Sequence, residues 1–237
     1  MALRSAAARI RERSRARVET DLSLARYTTY RIGGAAALYV EPTTAQDLEV
    51  LGSVLREEGL HDPTVPILIL GRGSNVVVSD AGFPGMVIRL GTSFSWLKAA
   101  GPSGVVVGSS TTLPQLANWA ARRSLTGIEF AVAIPGSVGG AVRMNAGAHG
   151  GAIGDRLTSV TVFDLRELQI HTRHVSSLGL AYRRSDLTGS DLVLDATLEL
   201  EEGDEQRIHE TMDDYRRHRA ATQPGAVQNA GSVFKNP

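Results

Sequence analysis

A chain of 237 residues is long for one hydrophobic core and short for three, so one domain in two lobes, or two domains, is expected. Its 25 Lys and Arg balance 25 Asp and Glu, which excludes a global field that recruits nucleic acid or an acidic membrane. No apolar run approaches the roughly 20 residues of a spanning helix, and the lack of cysteine excludes disulfides and thiolate chemistry.

The N-terminal stretch "MALRSAAARIRERSRARVE" is rich in Arg and Ala. It holds Glu12 and Glu19 and lacks a long apolar core, so it reads as a frayed, solvated helix rather than a transit peptide. Residues 1–23 are set apart as an N-terminal extension. Residues 44–58 predict a helix: Leu48, Leu51 and Leu55 share one face, Thr43 or Thr44 can cap the start, and Gly59 can end it. "VPILIL", 65–70, predicts a buried strand, and "NVVVSD" and "GMVIRL" predict two more, separated by a "DAGFPG" turn. "GVVVGSS" predicts another strand. Residues 111–125 predict a helix with Pro114 near its first turn.

"TSVTVFD", 158–164, alternates as a strand does. So does "DLVLDATLEL", where Leu192, Leu194, Ala196, Leu198 and Leu200 fall on one face. Residues 204–220 are amphipathic, with Ile208, Met212 and Tyr215 on one side. The sum is an α+β fold: an early βαβ lobe of about 24–90, a more antiparallel lobe of about 91–202, and a linking helix from 203 into a new unit near 221. His171 and His174 have no third ligand at metal spacing, so no metal site is expected.

The 25 glycines are clustered, and clusters mark tight turns or close approach of backbone to something else. In "ILILGRGSNVVVSD", Gly71 and Gly73 free the backbone to expose consecutive N–H groups, and Arg72, Ser74 and Asn75 lie beside them. Such a nest suits phosphate oxygens, although a plain turn is the simpler reading of this loop alone. It is neither a dinucleotide fingerprint, since no helix follows, nor a P-loop, since Gly-Lys-Ser/Thr is absent. "AIPGSVGGAVRMNAGAHGG", 133–151, has six glycines and four alanines in nineteen residues, with Arg143 its one charge. A stretch this bare cannot build its own core, yet Ile134, Pro135, Val138, Val142 and Met144 make it too apolar for a disordered loop. It can lie flat against a large planar ligand or a diphosphate. His149 lies within the stretch and is the histidine to watch.

"YTTYRIGG", "GRGSNVVVSDAGFPGMVI", "GIEFAVAIPGSVGGAVRMNAGAHGG", "YRRSDL" and "NAGSVFKNP" occur here in one order, over residues 24–237. Together they resemble the UDP-N-acetylenolpyruvoylglucosamine reductase family of bacterial wall synthesis. The resemblance implies a two-lobed, vanillyl-alcohol-oxidase-like FAD-binding fold followed by the start of a substrate-binding domain. It implies non-covalent FAD, with Gly71, Arg72, Gly73, Ser74 and Asn75 at its diphosphate. Ile134, Pro135, Gly136, Ser137, Gly139 and Gly140, and Asn145, Ala146 and Gly147, would run along the cofactor and its ring. NADPH would be the hydride donor, a UDP-sugar the substrate, and the protein a cytoplasmic monomer.

The resemblance also implies roles. By its place in "GSVFKNP", Ser232 is the proton donor to an enolate-like carbon left by hydride addition. Arg183, in "YRRS", is the cation over the substrate carboxyl, and Tyr182 and Asn236 are substrate contacts. The chemistry is sound: a poised hydroxyl can act on a strongly basic carbon, and an arginine fork matches a carboxylate. Read without the family, Arg183 is a solvated charge and Ser232 a turn residue. Family members run on past the equivalent of Pro237 into a segment holding a glutamate that assists protonation, so this chain reads as a truncated member, unable to turn over as it stands. Where many relatives carry a lysine near the Gln-Pro, this chain has Thr222, with Arg216, Arg217 and Arg219 nearby. Two other readings stand beside the reductase: a flavin-dependent sugar or alcohol oxidase, and an FAD-binding fragment without turnover.

Overall fold

The computed structural model describes residues 1–223, and its first helix is packed rather than frayed. α1 (Ala2–Arg13) buries Ala6, Ala7 and Ile10 completely, in the cluster formed by Leu48, Leu51 and Leu55 of α2 (Ala45–Glu57). On its outer side Arg9 and Arg13 each approach Glu57 at 2.8 Å. Two alanines and one isoleucine are a weak apolar signal among so many arginines, which is why the sequence reads as solvated. β1 (Arg17–Ser23) then pairs antiparallel with β2 (Ala35–Glu41).

The entry into α2 is written in side chains. The Thr44 hydroxyl accepts from Asp47 N at 3.1 Å, and the Asp47 carboxylate answers from Thr44 N at 2.9 Å. The same carboxylate accepts from Thr43 N and Thr43 Oγ1, both at 2.7 Å, and from Arg15 N at 2.9 Å. Asp47 therefore caps its own helix and ties down the strand entry after α1. β3 (Ile67–Ile69) and β4 (Phe83–Ile88) complete a four-stranded sheet of order β1-β2-β4-β3, in which β4 runs parallel to both β2 and β3.

Two expectations change here. "NVVVSD" forms no strand: its backbone serves the glycines of "YRIGG" instead, with Gly34 N donating to Ser79 O at 2.9 Å. β4 starts at Phe83, inside the expected turn, and the register with β2 shifts between Ala36 and Leu38, where Pro84 breaks the ladder.

The second lobe is antiparallel. β5 (Leu97–Ala100), β6 (Gly104–Gly108), β10 (Leu157–Asp164), β11 (Gln169–His174) and β12 (Asp191–Glu199) form a sheet of order β11-β10-β12-β6-β5. α3 (Leu113–Ala121) and α4 (Val138–Met144) share its core, with short pieces β7 (Leu125–Thr126), β8 (Gly147–Ala148), β9 (Gly151–Ala152) and β13 (Glu201–Glu202) around them. The single alternating face expected for β12 is split by a bulge: Asp195 pairs with Thr161 but Val193 with Val162, leaving Leu194 extra. Ala196 and Leu198 thus pack in the second-lobe core, while Leu192 and Leu194, with Phe163 and Leu165, reach the α2 cluster of the first lobe. That reversal of face joins the lobes. α5 (Glu205–Thr222) closes the described chain, capped by Asp204 and burying Ile208 and Met212, with Tyr215 packed beside them.

Burial works against the charge of Asp47, but the bonds from Thr43, Arg15 and Thr44 outweigh it and hold the carboxyl below its usual range. A depressed folded pKa contributes stability that is present above the unfolded value of about 3.9 and is lost as pH falls through the folded value. Asp47→Asn is expected to lower the free energy of urea unfolding by roughly 2–3 kcal/mol at pH 7, and to flatten the acid limb of the stability curve. An unchanged unfolding midpoint at pH 7 would show that the carboxylate is not the tie.

Candidate functional site

The loop after β3 is shaped by its neighbours before any ligand is considered. Gly73 has φ 66°, and a Cβ there would overlap the Tyr27 carbonyl oxygen. Its own carbonyl accepts from Thr29 N at 3.0 Å. "YTTY" is thus a strap lying on the loop, and Gly73 is a glycine because this backbone-to-backbone approach leaves no room. Gly71 differs: it is exposed, and a Cβ there would meet only the Ser137 hydroxyl, at 2.7 Å. That contact brings the first lobe's glycine loop against the "PGSVGG" stretch of the second.

"PGSVGG" is held from beneath. Leu113 N donates to Gly136 O at 3.0 Å, Val138 N to Thr111 O at 2.9 Å and Gly139 N to Ser109 O at 2.9 Å. Ile134 is half-buried and Ser137 buried, whereas Pro135 and Gly140 remain exposed. Backbone rather than side chain is what this stretch presents. α4 ends at Asn145, in the left-handed region at φ 41°, and Ala146 N turns back to Ala141 O at 2.8 Å. Gly147 is exposed in β8.

Arg183 comes from the second lobe, in the turn that follows Ala181. Its guanidinium donates to the Asn75 side-chain oxygen at 3.3 Å, across 108 residues of sequence. Arg183 has φ 54°, a conformation that costs a non-glycine residue of order 1–3 kcal/mol. Tyr182 beside it is 60% exposed. Ile32 and Val77 are also exposed, and each belongs to a segment that meets this loop, as the packing of Gly33 on Val78 shows.

The remaining expected residues separate. Gly71 lies against Ser137 and Asn75 meets Arg183, with Arg72 and Ser74 beside them in the same loop. Ser232 and Asn236 lie outside the described residues. His149 is turned to α5: at φ 54° in the β8–β9 turn, it stacks on Tyr215 at 4.0 Å and 6°, and meets His218 edge-on at 5.3 Å. Of the arginines near Thr222, Arg219 donates to Ala133 O, just ahead of Ile134, while Arg216 reaches Asn118 at 3.1 Å. Among the described residues no group of three or more His, Asp and Glu could hold a metal ion. Sequence reasoning missed the carboxamide of Asn145, which donates to Ala181 O at 3.1 Å and accepts from Gly154 N at 3.0 Å. An asparagine just past a short helix, a place that favours left-handed backbone, was the available signal.

Residues 36–172 match the family model described as an FAD binding domain. The UDP-N-acetylenolpyruvoylglucosamine reductase of Geobacter sulfurreducens is 37% identical over 231 residues, which is 98% of this chain and 74% of that protein. UDP-N-acetylenolpyruvoylglucosamine reductase 2 of Symbiobacterium thermophilum is 41% identical over 222 residues, 93% of this chain and 70% of that one. The crystal structure of UDP-N-acetylenolpyruvylglucosamine reductase from Thermus caldophilus aligns with a TM-score of 0.75 at 37% identity, over 94% of this chain and 76% of its own. A berberine-bridge-like enzyme of Physcomitrella patens, at 17% identity and TM-score 0.57, shares the fold alone, as does the glucose dehydrogenase Phl p 4.0202 at 14% and 0.61. The chain therefore has the two-lobed FAD-binding fold.

The residues fit FAD. A diphosphate needs open backbone donors, and exposed Gly71 and Arg72 provide room where a side chain at Gly71 would intrude. A flat ring needs bare backbone, as Pro135 to Gly140 offer. The two glycines separate these roles. Gly73→Ala is expected to lower the melting temperature with or without FAD, because the clash is with Tyr27. Gly71→Ala, whose Cβ would press only on the Ser137 hydroxyl, is expected to cost the FAD-free chain less stability than Gly73→Ala and to weaken FAD binding about tenfold or more, the scale of roughly 1.4 kcal/mol. Calorimetry and flavin titration measure both; parental FAD affinity in Gly71→Ala would remove the loop from the cofactor site. By identity along nearly its whole length and by a shared fold, this chain belongs to the UDP-N-acetylenolpyruvoylglucosamine reductase family.

Proposed function

We propose that the protein reduces the enolpyruvyl group of UDP-N-acetylglucosamine enolpyruvate with NADPH, giving UDP-N-acetylmuramate for peptidoglycan precursors. The observation that carries this reading is the Arg183–Asn75 contact, which places a permanent cation beside the loop of an FAD-binding domain. FAD, bound without a covalent link, supplies hydride transfer between NADPH and substrate. His149 supports non-covalent binding, since its ring is taken up by Tyr215 and His218.

The protein's own residues handle charge and protons. Hydride reaching the methylene carbon turns the double bond's electron pair toward the neighbouring carbon and its carboxylate. Arg183 offers that carboxylate two parallel N–H donors, an interaction that strengthens as charge develops. The carbon then takes one proton, from the Ser232 hydroxyl by its place in "GSVFKNP". Tyr182 and Asn236 contact the substrate in this reading. The stretch 203–237 begins the substrate-binding part of the chain. The balanced charge and the lack of cysteine support a cytoplasmic monomer that binds neither nucleic acid nor membrane. Among the described residues no helix is long and apolar enough to cross a membrane.

Anaerobic rapid mixing, with the chain extended to the length of its relatives, tests the division of labour. Arg183→Ala is expected to leave bleaching of the flavin by NADPH intact and to raise the substrate concentration needed for reoxidation. Ser232→Ala is expected to slow reoxidation by about 10² or more at saturating substrate, the scale of a lost general acid. Reoxidation of Ser232→Ala at the parental rate would remove Ser232 as the donor.

A further inference from the structure

The turn that carries Arg183 does not hold itself in place. Ala181 N donates to Arg184 O at 3.1 Å and Arg184 N to Ala181 O at 3.0 Å, closing a tight turn around Tyr182 and Arg183. Arg183 is left-handed within it, and Tyr182 and Arg184 are both exposed. Two backbone bonds are thin support for a strained turn on a surface. The end of α4 supplies the rest. Asn145 Nδ2 donates to the same Ala181 carbonyl that closes the turn, while Asn145 Oδ1 is occupied by Gly154 N. Two residues back, the Arg143 carbonyl accepts from Ser185 Oγ at 2.7 Å, and the Arg143 guanidinium returns to Ser185 O at 3.4 Å. The glycine-rich stretch thus grips "YRRS" on both sides of Arg183, and Asn75 meets the Arg183 head.

We propose that Asn145 is a positioning residue for Arg183: its carboxamide clamps the Tyr182–Arg183 turn to the end of α4, so that the guanidinium is presented beside the Gly71–Asn75 loop. Asn145 then acts through Arg183 instead of touching the cofactor, although its neighbours Ala146 and Gly147 remain free to do so. The kinetic part of this proposal rests on the substrate role given to Arg183 above; the structural part does not.

Asn145→Asp isolates the clamp. Aspartate tolerates the left-handed backbone and keeps an acceptor for Gly154 N, but it turns a lone pair toward Ala181 O where a donor stood. Asn145→Gly removes the side chain while keeping the backbone accessible, and covers the case in which the aspartate variant folds poorly. Brief trypsin treatment of the FAD-loaded protein, followed by mass spectrometry of peptides ending at Arg183 and Arg184, reads the turn directly. Cleavage there is expected to rise at least about fivefold in either variant relative to other sites, the scale of one lost hydrogen bond. The ratio of flavin to protein should stay parental. In the chain extended to the length of its relatives, KM for the enolpyruvyl substrate should rise about tenfold while KM for NADPH stays put, a selectivity that general loosening would not produce. Parental cleavage at Arg183 and Arg184 overturns the proposal, and flavin loss with parental cleavage makes Asn145 a cofactor contact instead. Faster cleavage with parental KM confirms the clamp and takes the substrate role away from Arg183, which is a failure of the functional reading alone.

Discussion

Gly71 of one lobe lies against the Ser137 hydroxyl of the other, with no room for a Cβ between them. Neither lobe can make a flavin-sized site alone: the first contributes a loop of open N–H groups, the second a flat run of backbone pinned from beneath by Ser109, Thr111 and Leu113. Their meeting depends on the joint behind them. Leu192 and Leu194 reach the α2 cluster because the bulge in β12 turns them away from the second-lobe core. A regular strand would have sent Leu194 inward with Ala196 and Leu198. The same residue insertion thus serves packing between lobes and, at a distance, the spacing of the two glycine loops.

Of the seven left-handed non-glycine residues among those described, Asn145, His149 and Arg183 belong to the stretches that surround the candidate site. Each is over-determined by its contacts: Asn145 by Ala181 and Gly154, His149 by Tyr215, Arg183 by a closed turn and Asn75. α5 takes part through His149 and through Arg219 on Ala133, so the helix that leads toward "NAGSVFKNP" is docked on the glycine-rich stretch.

Much of this was legible in sequence where one signal dominated. α2 showed its apolar face and its Thr cap, α5 its Ile208–Met212–Tyr215 stripe, and the glycine loops their composition. The two-lobed fold and the family followed from motifs in fixed order. The failures have specific causes. The burial of α1 rests on two alanines, which carry almost no hydrophobic signal, and "NVVVSD" has strand composition but spends its backbone on Gly34. The β12 bulge has no local marker, because period-2 apolar residues run straight through it. Gly73 looked like a ligand contact, whereas its missing side chain is demanded first by Tyr27. The Asn145–Ala181 bond spans 36 residues and depends on two turns, so no single window contains it.

The central claim is that both glycine loops bind one FAD and that the Arg183 turn is held at the same place. Hydrogen exchange with and without FAD measures this most directly. The account predicts that FAD slows exchange together in the 71–75 loop and the 134–147 stretch, with the 181–184 turn gaining protection through Asn75 and Asn145. Protection confined to one loop, with the other exchanging as in the FAD-free protein, would contradict it.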